Sequence, residues 1–150
     1  MWLLTRRQFL RHIDLPRVEE ALRAAEQRTS GEIRVSLAPL FWGNVHRAAE
    51  QAFERLGMTA TRERNGVLLF VVPARRQFAV LGDAGIHAKV GQDFWERVAR
   101  VLGEHFRTGD FTGGLVEGIH ELGGQLAAHF PFQGARDVNE LPDEIDLGKR

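Results

Sequence analysis

Cysteine is absent from the 150 residues, and net charge is absent as well, because twenty acidic side chains cancel twenty basic ones. The first absence excludes disulfides, thiolate nucleophiles and sulfur-ligated zinc, and leaves the redox compartment open. The second removes any long-range field that would draw the chain to nucleic acid, anionic lipid or another polyanion, so a ligand has to be recognised locally. Long apolar runs are also missing. The longest uncharged one, GVLLFVVPA, is about half of what a membrane span requires. No internal repeat or low-complexity segment occurs. The chain has the length of one compact domain able to bury a core without staples. It is expected to have no nucleic-acid partner, no membrane span and a cytoplasmic location.

One motif bears on that location. TRRQFLR, Thr5 to Arg11, resembles a twin-arginine export signal. Such a signal needs an uncharged apolar run and a small-residue cleavage site directly after it. The following HIDLPRVEEALRAAEQR instead carries a charge every two or three positions. The stretch therefore reads as a short helix that starts the domain, with Arg6, Arg7 and Arg11 in water and Phe9, Leu10 and Ile13 packed inward.

Beyond it, Asp14 is placed to cap a helix, with Pro16 in its first turn and Leu15, Val18, Leu22 and Ala25 along one face up to Gly31. EIRVSLA alternates as a half-buried strand. Val45, Ala48, Ala52 and Leu56 define a second amphipathic helix that ends at Gly57. NGVLLFVV is apolar on both faces, as a central strand covered on two sides would be. QFAVLG follows after PARR, too short for a parallel crossover, so these two strands form an antiparallel hairpin. The loop GDAGIHAKVG leads to a helix carrying Phe94, Val98, Val101, Leu102 and His105, and a last helix carries Leu115, Ile119, Leu122 and Leu126. Gly114, Gly118, Gly123 and Gly124 each cost that last helix about 1 kcal/mol relative to alanine, which implies close packing against the sheet. A helix between the first two strands makes them parallel and right-handed in their crossover. The expected fold is an α/β, three-layer α/β/α sandwich with a small mixed sheet, spanning residues 1–130. Residues 131–150, with five acids against three bases and no clear apolar period, read as a flexible acidic tail in which Val138, Leu141 and Ile145 remain available for docking.

This topology brings the start of the first strand, the start of the second and the end of the third to one sheet edge. Glu32, Glu63, Asn65 and Asp83 converge there among Gly31, Gly66, Gly82 and Gly85. Carboxylate and amide oxygens around tight loops are what calcium or magnesium requires, so Glu63, Asn65 and Asp83 are the candidate metal ligands. Asn65-Gly66 and Gly82-Asp83 are equally ordinary turn dipeptides.

SGEIRVSL, ERNGVLLFV, FAVLGDAGIHAKV and HFRTGDFTGGLVEGI, in that order, resemble the TPM domain family, which includes thylakoid-lumen photosystem-repair proteins, receptor auxiliary proteins and many bacterial members. The resemblance covers about residues 14–130 and implies a TPM-like α/β sandwich and, for some members, calcium binding and acid phosphatase activity. The pattern is kept at Asn65, the glycines and Asp110. It is broken at Arg64, where relatives have the aspartate of Asp-Asn-Gly, and at His87, which falls at the acidic position of their Gly-x-Gly-x-Glu loop.

Other residues carry alternatives. Asp110 precedes the last helix and suits capping. Arg64, His87 and Lys89 form a cationic mouth for an anion or a solvated surface of scattered charge. Phe41 and Trp42 make an apolar tip that docks on a partner or covers the sheet edge. His105 reads as a hydrogen-bonded core residue. No catalytic residue is assignable, because neither a nucleophile nor a general-base pair is recognisable. Two functional classes follow: a non-enzymatic binding or accessory module with a protein partner, or a divalent-metal-assisted phosphomonoesterase.

Overall fold

The computed structural model describes residues 13–134 and 145–148; TRRQFLR, Val138 and Leu141 lie outside the described residues. Asp14 accepts a hydrogen bond from the Arg17 amide and opens helix α1 (Leu15–Glu26), which buries Val18, Leu22 and Ala25. Strand β1 (Glu32–Leu37), helix α2 (Val45–Arg55) and strand β2 (Gly66–Val72) follow. A 3-10 turn at Pro73–Arg75 leads to strand β3 (Gln77–Gly82). The loop after β3 contains a short helix α3 (Ala84–His87) that its sequence did not announce. Helices α4 (Gln92–Arg107) and α5 (Phe111–His129) complete the described fold.

β1 and β2 are parallel and β2 and β3 antiparallel, in the order β1-β2-β3, so the expected mixed sheet is present. β2 is buried at every position and separates two cores. Val67, Leu69 and Val71 join Val35 and Leu37 beneath α1, α4 and α5, while Leu68, Phe70 and Val72 face Ala49, Ala52 and Met58 on the α2 side. Strand periodicity of two thus produces the three layers directly from one apolar run.

The glycine face of α5 does not meet the sheet, as had been expected from its composition. It meets helices: a Cβ at Gly114 would lie 2.6 Å from Phe106 Cε1, one at Gly118 2.7 Å from Leu102 Cδ2, and one at Gly123 3.2 Å from Ala25 Cβ. Small residues let α4 and α1 approach the α5 backbone, and the three helices cover the sheet together.

The reading of a flexible tail after Pro131 does not hold for residues 145–148. The Asp146 amide donates to Val35 O at 2.9 Å, and the Leu37 amide donates to Asp146 O at 2.8 Å, which adds a one-residue parallel bridge to the outer edge of β1. Ile145 is buried in the core beneath α1, α4 and α5. The Asp146 carboxylate accepts from Ser36 Oγ at 2.7 Å and from both terminal nitrogens of Arg55 at 2.9 and 3.2 Å. Burial pushes that carboxyl up, but the Arg55 and Ser36 hydrogen bonds and the Arg55 charge hold it below the usual carboxylate range. This contact explains why Ser36, which alternation assigns to an outer face, is 1% exposed.

Candidate functional site

Register places the loop edge where topology puts it. Glu32 is opposite Gly66, and Gly82 is opposite Val67; the Glu32 amide donates to Asn65 O at 3.2 Å and the Asp83 amide to Gly66 O at 3.0 Å. The three strand ends are therefore tied together by backbone alone.

The side chains divide into two groups at this edge. Toward the turn before β1, the exposed Glu63 accepts from Ser30 Oγ at 3.2 Å, and Asn65 Nδ2 donates to Ser30 O at 3.4 Å. Asn65 is 1% exposed, and its Oδ1 has no hydrogen-bond partner among the described residues. Toward β3, Arg64 forms a two-pronged pair with Asp83: Nε to Oδ2 at 2.6 Å and Nη2 to Oδ1 at 2.8 Å. Asp83 is 5% exposed, and its Oδ1 also accepts from the Ala84 amide at 2.8 Å as the cap of α3. Burial alone would raise the Asp83 carboxyl; the Arg64 and Ala84 hydrogen bonds, followed by the charges of Arg64 and His87, outweigh it and lower it.

The backbone supports this division. Arg64 has φ of +52°, a left-handed conformation uncommon for a non-glycine residue, and its carbonyl accepts from the Gly85 amide at 2.9 Å. A side chain at Gly85 would collide with the carbonyl oxygens of Glu63 and Arg64, so only glycine permits this approach.

A hard cation such as calcium or magnesium needs several oxygen donors around one point. Here both Asp83 oxygens are taken up by a guanidinium and Glu63 is engaged by Ser30, so that Asn65 Oδ1, whose amide nitrogen bonds Ser30 O, is left as a single buried oxygen rather than part of a donor set. A permanent positive charge stands where a metal would have to neutralise Asp83. The residues present do not fit a metal ion while that pair is formed.

The other candidates are dispersed. His87 is exposed, with its ring 5.2 Å from that of Trp95, and Lys89 Nζ lies 4.6 Å from the centre of the Phe130 ring. With Arg64 held by Asp83, the three side chains of the supposed mouth have separate partners. Asp110 caps α5 by accepting from the Gly113 amide at 2.9 Å. It lies at the far end of the sheet: Arg76 donates to Arg107 O at 3.0 Å beside the start of β3, and the six residues of β3 separate this end from Asp83 by about 20 Å. His105 bonds Val101 O at 2.9 Å, with Glu117 at 3.5 Å from Nε2. The carbonyl, and then the nearby acids, raise it against the opposing effect of burial.

At the aromatic tip the two rings part. Phe41 is half-buried, meets Phe70 edge-on at 6.5 Å and lies under the Arg75 guanidinium at 5.3 Å. Trp42 is 76% exposed. Arg75 Nη1 donates to the carbonyls of Phe41 at 3.3 Å and Gly43 at 2.8 Å, on either side of the tryptophan. Nothing in the local sequence flags Arg75 as its brace, since the two are brought together only by the β2-β3 turn.

These features define an α/β sandwich of helices around a small mixed sheet, with a loop edge closed by an ion pair. The TPM domain model matches residues 5–125, and the chain belongs to the TPM domain family. It is 37% identical to the BA42 protein of the psychrophilic bacterium Bizionia argentinensis, whose NMR structure superposes with a TM-score of 0.84 over 91% of this chain and 95% of that one. The N-terminal domain of a P. gingivalis protein (21% identity, TM-score 0.61, 74% of this chain and 72% of that one) shares the fold. So does that of the cg2496 protein of Corynebacterium glutamicum (16% identity, TM-score 0.56, 74% and 70%). No curated protein matches the chain.

Proposed function

We propose that this TPM domain is a non-enzymatic binding module that engages a protein partner through Trp42. The observation that carries the reading is the braced tip: a tryptophan exposed to 76%, with the carbonyls before and after it held by one arginine. A large aromatic surface that is already ordered loses little entropy on binding, and tryptophan is the residue type most often found at the energetic centre of an interface. The Arg64-Asp83 pair adds to the argument, because it engages the carboxylate on which metal-assisted phosphomonoester hydrolysis would depend. The compartment proposed is the cytoplasm, on the charge density after TRRQFLR, and cell fractionation tests it.

Affinity capture from the source cells, with the parent chain, Trp42→Ala and Phe132→Ala compared, tests the reading. Phe132 is the matched exposed aromatic control, at 47%. A protein held by the parent and by Phe132→Ala, lost by Trp42→Ala, and reproduced with purified components supports it. Turnover of a generic phosphomonoester that requires calcium or magnesium and disappears in Asp83→Ala would replace it with the phosphatase reading.

A further inference from the structure

We infer that the Arg64 guanidinium takes the place of a divalent cation in this chain, so that the loop edge is closed by a built-in charge and removing that charge opens a cation site. The inference rests on the ion pair alone and is independent of the Trp42 reading. Two loops meet here, residues 61–66 before β2 and residues 83–87 after β3. They are clamped by the backbone bonds from Gly85 N to Arg64 O and from Asp83 N to Gly66 O. The buried Asp83 carboxylate faces this junction and needs a positive partner. Arg64 supplies one that never deprotonates and that matches both carboxylate oxygens at once.

The position of Arg64 suits this role. A left-handed residue between Glu63 and Asn65 points its side chain away from the Ser30 turn that those two address and toward β3. Next to it in the chain, Asn65 Oδ1 is buried without a donor among the described residues. An incoming cation would have to displace a two-pronged pair and then sit beside a guanidinium. With the guanidinium replaced by a carboxylate, the same junction presents two facing acids, Asp83 and the new one, with no positive partner between them, a pair of oxygen donors that draws a hard divalent cation.

The test is thermal unfolding of the metal-stripped full chain titrated with calcium chloride, then magnesium chloride, in the parent, Arg64→Asp and Arg64→Asp/Asp83→Asn. The parent is expected to show no shift at millimolar metal. Arg64→Asp is expected to melt below the parent in chelator and to rise saturably, by about 5–10 °C at a roughly hundredfold excess over Kd. The added Asp83→Asn is expected to abolish that rise. Should Arg64→Asp not fold in either condition, Arg64→Asn carries the test, because asparagine accepts a left-handed backbone and keeps an oxygen donor. A saturable shift in the parent that is lost in Asp83→Ala would overturn the inference. A folded Arg64→Asp or Arg64→Asn whose melting point ignores both metals would overturn it too.

Discussion

Asp83 shows how one residue serves several parts of the loop edge. It caps α3, holds Arg64 and is itself only 5% exposed. Asp83→Ala is expected to lower stability by at least about 1 kcal/mol, the usual loss for a helix cap, with the greatest rise in amide exchange at Ala84 and Gly85. Trp42→Ala is expected to change chemical-denaturation stability by less than about 0.5 kcal/mol, because the side chain is in water. A larger loss there would mean that Trp42 covers the domain itself. Phe41→Ala, which removes the ring between Phe70 and Arg75, should cost more than Trp42→Ala in the same experiment. The sequence showed all three residues as candidates, and it offered Asp83 as a metal ligand and Arg64 as part of a cationic mouth. It did not show their pairing, because a left-handed backbone at an arginine has no reliable sequence signal. Arg55 and Asp146 left still less trace: they are 91 positions apart, and the contact depends on how residues 145–148 return to β1.

Among the elements, the strands were the easiest to read. An apolar run on both faces and a four-residue connection leave few alternatives for β2 and β3, and the observed register agrees. Helix α5 was harder, since its glycines signalled close packing without naming the neighbour. Two substitutions separate those roles. Gly114→Ala places a methyl group 2.6 Å from the ring of the buried Phe106 and 2.9 Å from His105 Cβ, so overpacking of about 1–3 kcal/mol exceeds the gain in helix propensity. Gly124→Ala meets only the flexible end of Arg28, at 3.1 Å from Nη2, and should stabilise by up to about 1 kcal/mol. Opposite shifts in melting temperature are expected, and equal shifts would refute the assignment of α4 as the tightly packed neighbour.

For the whole molecule, titration sets the range of pH over which the fold is secure. Asp83 and Asp146 have lowered pKa values in the folded state, so their stabilisation is complete above the unfolded value, about 4, and is lost as pH falls through the folded values. His105 has a raised pKa, so its contribution is complete below about 6.5 and is lost as pH rises through the folded value. Denaturant midpoints measured across pH should therefore drop on the acid side, and the drop should shrink in Asp146→Asn, whose own midpoint at neutral pH is lower by roughly 1–3 kcal/mol of stability. No helix among the described residues is long and apolar enough to cross a membrane; the architecture agrees with what alternation and connection lengths imply, and the family with the four ordered motifs that resemble it.

The short return of residues 145–148 to β1 also bears on how copies of the chain behave when crowded together. A strand at the border of a sheet is a template for another molecule's backbone, and proteins that leave such a border bare tend to aggregate through it. Here the outward carbonyl of Val35 and amide of Leu37 are already satisfied by Asp146, and a charged pair with Arg55 stands over the same stretch. Sheet-to-sheet growth through β1 must first expel that segment. A solution of Asp146→Asn should therefore scatter light at protein concentrations and temperatures where the parent stays clear.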